Sequence, residues 1–171
     1  MGKISIADDC LVPERFIYLR YSGKNPWSVV NRITGAIRPF FHVSASGTSQ
    51  TRLNWDVSTD PIAFYATWWV KKDVSRWSRM LFFVKVQGRQ FKTTEEGEFT
   101  LQLNADLRTE FSGWGLILKP AWVLYSYLFY NKARRRFIER CRNIALNFRN
   151  EIKGQFDLEA TTVPRGQGTY G

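Results

Sequence analysis

Apolar and polar positions change period several times along this chain. Residues Glu14 to Tyr21 alternate, with Arg15, Ile17, Leu19 and Tyr21 on one face and Phe16, Tyr18 and Arg20 on the other, which predicts a first strand. Ser22-Gly23-Lys24 breaks it. Val30, Ile33 and Ile37 then recur at helical spacing behind Trp27. Asn25 is the expected N-cap, Pro26 the first helical position and Pro39 the stop. His42 to Ser49 is small and polar and reads as a loop.

Strand periodicity returns at Leu53, Trp55 and Val57, which alternate with Arg52, Asn54 and Asp56. A turn at Ser58-Thr59-Asp60-Pro61 leads into a strand from Ile62 to Lys72, apolar on both faces near Trp68 and Trp69. A connection over Asp73 to Ser78, containing Trp77, precedes a strand from Arg79 to Gln87. After the turn Glu95-Glu96-Gly97, strict alternation of Phe99, Leu101, Leu103, Ala105 and Leu107 with polar residues gives the clearest strand in the chain. Ser112-Gly113-Trp114-Gly115 interrupts the pattern.

From Pro120 to Lys153 no internal Pro or Gly occurs. Phe137, Cys141, Ile144, Phe148 and Ile152 form a sustained apolar stripe, so this segment predicts one long helix ended by Gly154. Its first half is aromatic, with Trp122, Tyr125, Tyr127, Phe129 and Tyr130. The expected organisation is an extension over residues 1–13, a single domain over 14–153 and a Gly/Thr-rich tail over 154–171.

Strand, helix, a run of antiparallel strands and a long C-terminal helix define an α+β order. That order resembles the helix-grip superfamily, the START-like or Bet v 1-like proteins, over residues 14–153. The loop over residues 38–49 stands where those proteins carry a second short helix. The resemblance implies a curved antiparallel sheet packed around the C-terminal helix, with a cavity between them often used for lipids or other apolar ligands. The lining implied here is Trp55, Phe64, Trp68, Phe83, Tyr125 and Phe129. Large aromatics in such positions also serve simply to fill a core.

Charge changes the picture. The chain of 171 residues carries a net charge of +10, which favours polyanionic partners: RNA, a ribosome, DNA or an anionic membrane surface. Two segments hold the excess. Residues 71–92 carry seven cations against Asp73 alone, and residues 120–153 carry eight against Glu139 and Glu151. On the helix, Lys132, Arg135, Arg136, Arg142 and Arg149 fall largely opposite the apolar stripe. Planar guanidinium groups suit phosphate. The expected phosphate contacts are Arg134, Arg135, Arg136, Arg140, Arg142 and Arg149, with Lys71, Lys72, Arg76 and Arg79 as a second patch. Trp77 and Tyr130 are placed to stack on unpaired bases.

Catalytic signatures do not emerge. His42 is the single histidine and has no neighbouring nucleophile. Cys10, Cys141 and His42 lack zinc-ligand spacing, and no phosphate-cradling glycine motif occurs. Asp106 with Glu110, and the group Glu95, Glu96 and Glu98, read as solvated carboxylates. Two cysteines do not build a disulfide framework, so a reduced, cytoplasmic protein is expected. Neither a signal-peptide core nor a membrane span is read from the sequence, because Lys119-Pro120 splits the apolar run from Trp114 to Tyr130. The expected function is a non-enzymatic RNA- or ribosome-binding protein, without cofactor or metal, acting in translation control or ribosome storage. The alternatives are a carrier or sensor of an apolar small molecule, and a protein-interaction module or homo-oligomer whose contact surface is the aromatic stretch Trp114 to Tyr130.

Overall fold

The structure is a computed structural model that describes residues 4–111, 123–125 and 130–156. Six strands form one antiparallel sheet: β1 (Ile4–Asp9), β2 (Ile17–Lys24), β3 (Thr48–Asp56), β4 (Ile62–Asp73), β5 (Ser78–Gln90) and β6 (Glu96–Phe111). Two helices, α1 (Ser28–Phe41) and α2 (Asn131–Gln155), accompany it, so the fold is α+β. The sheet is open. Its order is β1-β6-β5-β4-β3, and β2 shares with β1 the outer edge of the long β6. β1 runs opposite residues 106–111 and β2 opposite residues 96–103.

Period-2 alternation explains the core. Phe64, Ala66, Trp68 and Val70 of β4 and Met80, Phe82, Val84 and Val86 of β5 are buried on one face. Phe99, Leu101, Leu103, Ala105 and Leu107 of β6 continue that face. Both helices cover it. Phe41 of α1 meets Phe82 at 4.7 Å and Phe148 of α2 at 5.1 Å between ring centroids. Cys141, Ala145, Phe148 and Ile152 are the buried positions of α2, while Phe137 and Ile144 of the predicted stripe are partly buried. Fully burying each such large side chain stabilises the fold by roughly 1.5–3 kcal/mol.

Several boundaries differ from the sequence reading. Residues 4–9, expected in an extension, form β1, whose short apolar pattern is too weak to show alone. Asn25 is not an N-cap: it has φ 49°, and α1 begins after a turn in which Ser28 N–H donates to Asn25 O. Pro39 does not end α1. Burial of Phe41 carries the helix one step further, and His42 terminates it in the left-handed region with φ 50°. The loop over 42–49 contains a short 3₁₀ turn, Ala45–Gly47. Gly97 lies inside β6, where a Cβ would come 2.0 Å from Arg89 O, so only glycine fits between the neighbouring strands. Gly154 does not end α2, which runs to Gln155. Of the predicted helix over 120–153, Val123–Tyr125 and residues 131–153 are helical; Pro120, Trp122, Tyr127 and Phe129 lie outside the described residues. The tail from residue 157 onward also lies outside them.

The cysteines are a further correction. Cys10 and Cys141 form a disulfide with a Cα–Cα distance of 6.0 Å, both side chains buried. Pairing of β1 with β6 brings Cys10 under α2, a long-range consequence that local pattern does not show.

Candidate nucleic-acid interface

A hydroxyl network fixes the start of α2. Ser78 of β5 lies opposite Thr109 of β6, and both are buried. Ser78 Oγ bonds Thr109 Oγ1 at 2.8 Å and Tyr130 Oη at 2.7 Å, and Ser75 Oγ bonds the same Tyr130 hydroxyl at 3.0 Å. Each buried hydroxyl is therefore satisfied, and the first turn of α2 is tied to the β4–β5 turn. That tie places the start of α2 beside the β4–β5 turn, where Arg76 and Arg79 lie.

Their residues then separate into distinct roles. Lys132, Arg135, Arg136, Arg140 and Arg142 are exposed on α2 and form no ion pair among the described residues. Glu139 shares that exposed surface. Arg149 is partly buried and donates to the side chain of Asn150 at 3.1 and 3.2 Å. Arg134 turns inward and binds Asp8 of β1 with two donors, Nε–Oδ2 being 2.6 Å. Its charge is neutralised within the fold, so Arg134 is not part of the exposed set.

On the β4–β5 side, Arg79 is flanked by Asp73 at 3.9 Å and Glu110 at 3.6 Å. Arg76 lies over the Trp77 ring at 5.0 Å, at the exposed turn. Lys72 points to the helical side and donates from Nζ to Phe41 O at 2.5 Å. Burial lowers its pKa, and the positive charge of Arg140 lowers it further. Lys72 and Arg140 thus lie within electrostatic range of each other. Beside Lys72 lies a cleft of about 260 Å³ lined by His42, Ser44 and Ser46. Lys71, one residue along the strand, belongs to the opposite face of the sheet.

Of the six residues expected to line a cavity, the five that are described do not come together. Trp55 and Phe64 pack with Trp27, the Trp27–Trp55 centroids being 4.0 Å apart and Trp27–Phe64 5.4 Å. Trp68 is buried, and its Nε1 has no hydrogen-bond partner among the described residues. Phe83 lies on the other side of the sheet and is 47% exposed, because its position in β5 has the parity opposite to Phe82 and Val84. Tyr125 is exposed, and Phe129 lies outside the described residues.

That other side of the sheet holds residues the sequence reading missed. Trp69 sits opposite Phe83, which sits opposite Asn104. In the adjoining row, Arg52, Thr67, Lys85, Gln102 and Tyr18 run from β3 to β2. In the next row, Asn54, Tyr65, Gln87, Thr100 and Arg20 do the same. Lys85 Nζ lies 5.6 Å from the Tyr65 ring centroid. The signal available in sequence was that β4 and β5 are apolar on both faces.

No protein-family model matches the chain, and comparison with curated proteins gives no match. No helix among the described residues is long and apolar enough to cross a membrane.

Proposed function

We propose that the chain is a non-enzymatic RNA- or ribosome-binding protein of helix-grip architecture that clamps phosphates with the exposed cations of α2. One observation carries this reading. Arg135, Arg136, Arg140 and Arg142 are exposed without ion pairs among the described residues, and Arg140 lies within electrostatic range of Lys72 on β4. Like charges held together cost free energy that a polyanion would offset. Surface cations that only confer solubility would more often be interspersed with carboxylates, and here Glu139 is the single acidic group between Asn131 and Asn150. Such contacts give affinity without sequence preference and weaken as salt rises.

The test is sedimentation of a nuclease-free lysate at low and high salt. Co-migration with ribosomal particles at low salt, lost at high salt, is expected. Arg135→Gln with Arg136→Gln should weaken binding and flatten its salt dependence. Migration with free protein at both salts, by the unaltered chain, would sink the reading.

A second reading, a carrier of an apolar ligand, is favoured by Trp68, whose indole N–H is buried without an acceptor among the described residues. Leaving such a donor unmet costs about 1–3 kcal/mol, which a ligand carbonyl or hydroxyl would recover. Mass spectrometry of the denatured protein tests this, and a clean spectrum counts against it.

A further inference from the structure

The sheet face turned away from the helices has the wrong composition for a surface that meets only water. In a two-layer α+β fold the outer positions of a central strand should be polar. Here β4 and β5 present Tyr65, Trp69, Leu81 and Phe83 at adjoining outer positions. Phe83 is 47% exposed and Tyr18, two strands away, is 45% exposed. Aromatic area left this open is a recognition feature.

What surrounds these rings selects the occupant. Asn104, Gln102 and Gln87 hold the positions between and beside the rings, so amide donors and acceptors alternate with flat apolar faces. Lys85 and Arg52 stand in the central rows, which hold no carboxylate, whereas the row of Lys71 and Leu81 continues to Asp106 and Asp9, which bound the platform on that side. Flat rings, amide groups and spaced cations match a chain of planar bases joined by phosphates. A second copy seated face to face would have to bury Lys85, whose row holds Arg52, Thr67, Gln102 and Tyr18 and no carboxylate. A lipid surface would meet the same lysine and the amides at the centre of its contact. Charge and ring placement therefore favour a single-stranded nucleic acid.

We propose that the outer face of the sheet is a stacking platform for unpaired bases, with Trp69 and Phe83 as the two central rings and Lys85 on the adjoining phosphate. The inference rests on the RNA-binding reading and deepens it: it adds a preference for single strands, and it assigns that preference to residues distant from the α2 cations. Phosphate contacts alone do not distinguish single strands from duplexes in this way.

Fluorescence anisotropy with a labelled oligouridylate, and with a duplex RNA of equal length, tests the proposal at two salt concentrations. Phe83→Ala and Trp69→Ala should each weaken single-strand binding about tenfold, leaving duplex affinity and the salt slope unchanged. Arg135→Gln with Arg136→Gln should weaken both probes and flatten the slope. Phe83→Leu, which keeps apolar volume and removes the ring, carries the test if Trp69→Ala perturbs folding by circular dichroism. Unchanged single-strand affinity in the Phe83 variants, with loss in the arginine variant, overturns the platform and leaves the phosphate clamp standing. Failure of the unaltered protein to bind either probe overturns both. A dimer in solution that Phe83→Ala dissociates would make the face a self-association surface and would also overturn the platform.

Discussion

Arg134 on α2 and Asp8 on β1 form a two-donor ion pair between elements 126 residues apart, with Nε to Oδ2 at 2.6 Å. Both side chains are largely shielded, at 28% and 17% exposure. This pair divides the run Arg134–Arg136 into one structural and two exposed arginines. Arg134→Ala is expected to destabilise the fold by about 1–2 kcal/mol, since it strands a half-buried carboxylate, with some relief from remaining solvent. Polyanion affinity should barely change, whereas Arg135→Gln should reduce it. Urea denaturation alongside anisotropy measures both. Equal binding losses at 134 and 135 would contradict the division.

Cys10 and Cys141 close a loop whose ends are 131 residues apart, joining the end of β1 to the middle of α2. Cross-linking a loop of that length removes much of the freedom of the unfolded chain and is expected to stabilise by roughly 2–5 kcal/mol. Reductant should therefore lower the melting temperature of the oxidised protein by many degrees. A Cys10→Ser, Cys141→Ser variant should melt at the reduced value with or without reductant. Identical melts of the unaltered protein in both conditions would show that the bond does not form in solution.

Asp106 of β6 sits directly opposite Asp9 of β1. Burial raises its pKa, the charge of Asp9 raises it further, and Arg108 and Arg15 oppose the shift. A carboxyl with a raised folded pKa binds its proton more tightly in the folded state. Its contribution is fully present below the unfolded value of 3.8 and is lost as pH rises through the folded value. Asp106→Asn is thus expected to stabilise the protein at neutral pH by up to about 1 kcal/mol, the scale of like charges paired across strands. The gain should vanish in acid. Denaturation midpoints from pH 3 to pH 8, about the range over which carboxyls titrate, would show the difference between variant and parent opening with pH; a constant difference would rule out the charge explanation.

Alternation made β4, β5 and β6 readable to within a few residues, because one side of each is continuously apolar and must face the core. The stripe of α2 was readable for the same reason at helical spacing. Face assignment failed at Phe83, since β5 is apolar on both sides around Met80–Val84 and alternation alone cannot choose which side the helices cover. β1 failed because six residues ending in Asp8-Asp9 carry little apolar signal; their pairing comes from the free edge of β6. The disulfide and the Arg134–Asp8 pair both follow from that docking, so neither was visible before it. The α2 cations were legible as a charged surface, but which arginine turned inward depended on β1.

Lys72 offers a readout of anion binding beside Arg140. Its ammonium is partly desolvated, donates to Phe41 O, and lies within the field of Arg140, so its pKa lies below 10.5. A lowered pKa means that the charged form costs free energy in the folded state, and stability from this group rises as pH rises through the folded value. A bound phosphate would reverse the balance by favouring the ammonium. Polyanion addition should therefore shift the Lys72 titration upward, and Arg140→Gln should shift it upward in the absence of any anion. By linkage, affinity should fall as pH climbs from the free-state pKa toward the higher bound-state pKa, and Lys72→Met should flatten that fall. Side-chain nitrogen NMR of Lys72, with and without a short oligonucleotide, reads both effects. If the oligonucleotide binds and leaves the Lys72 titration unmoved, the anion lies away from Lys72, whose ammonium then serves only to cap the carbonyl of Phe41.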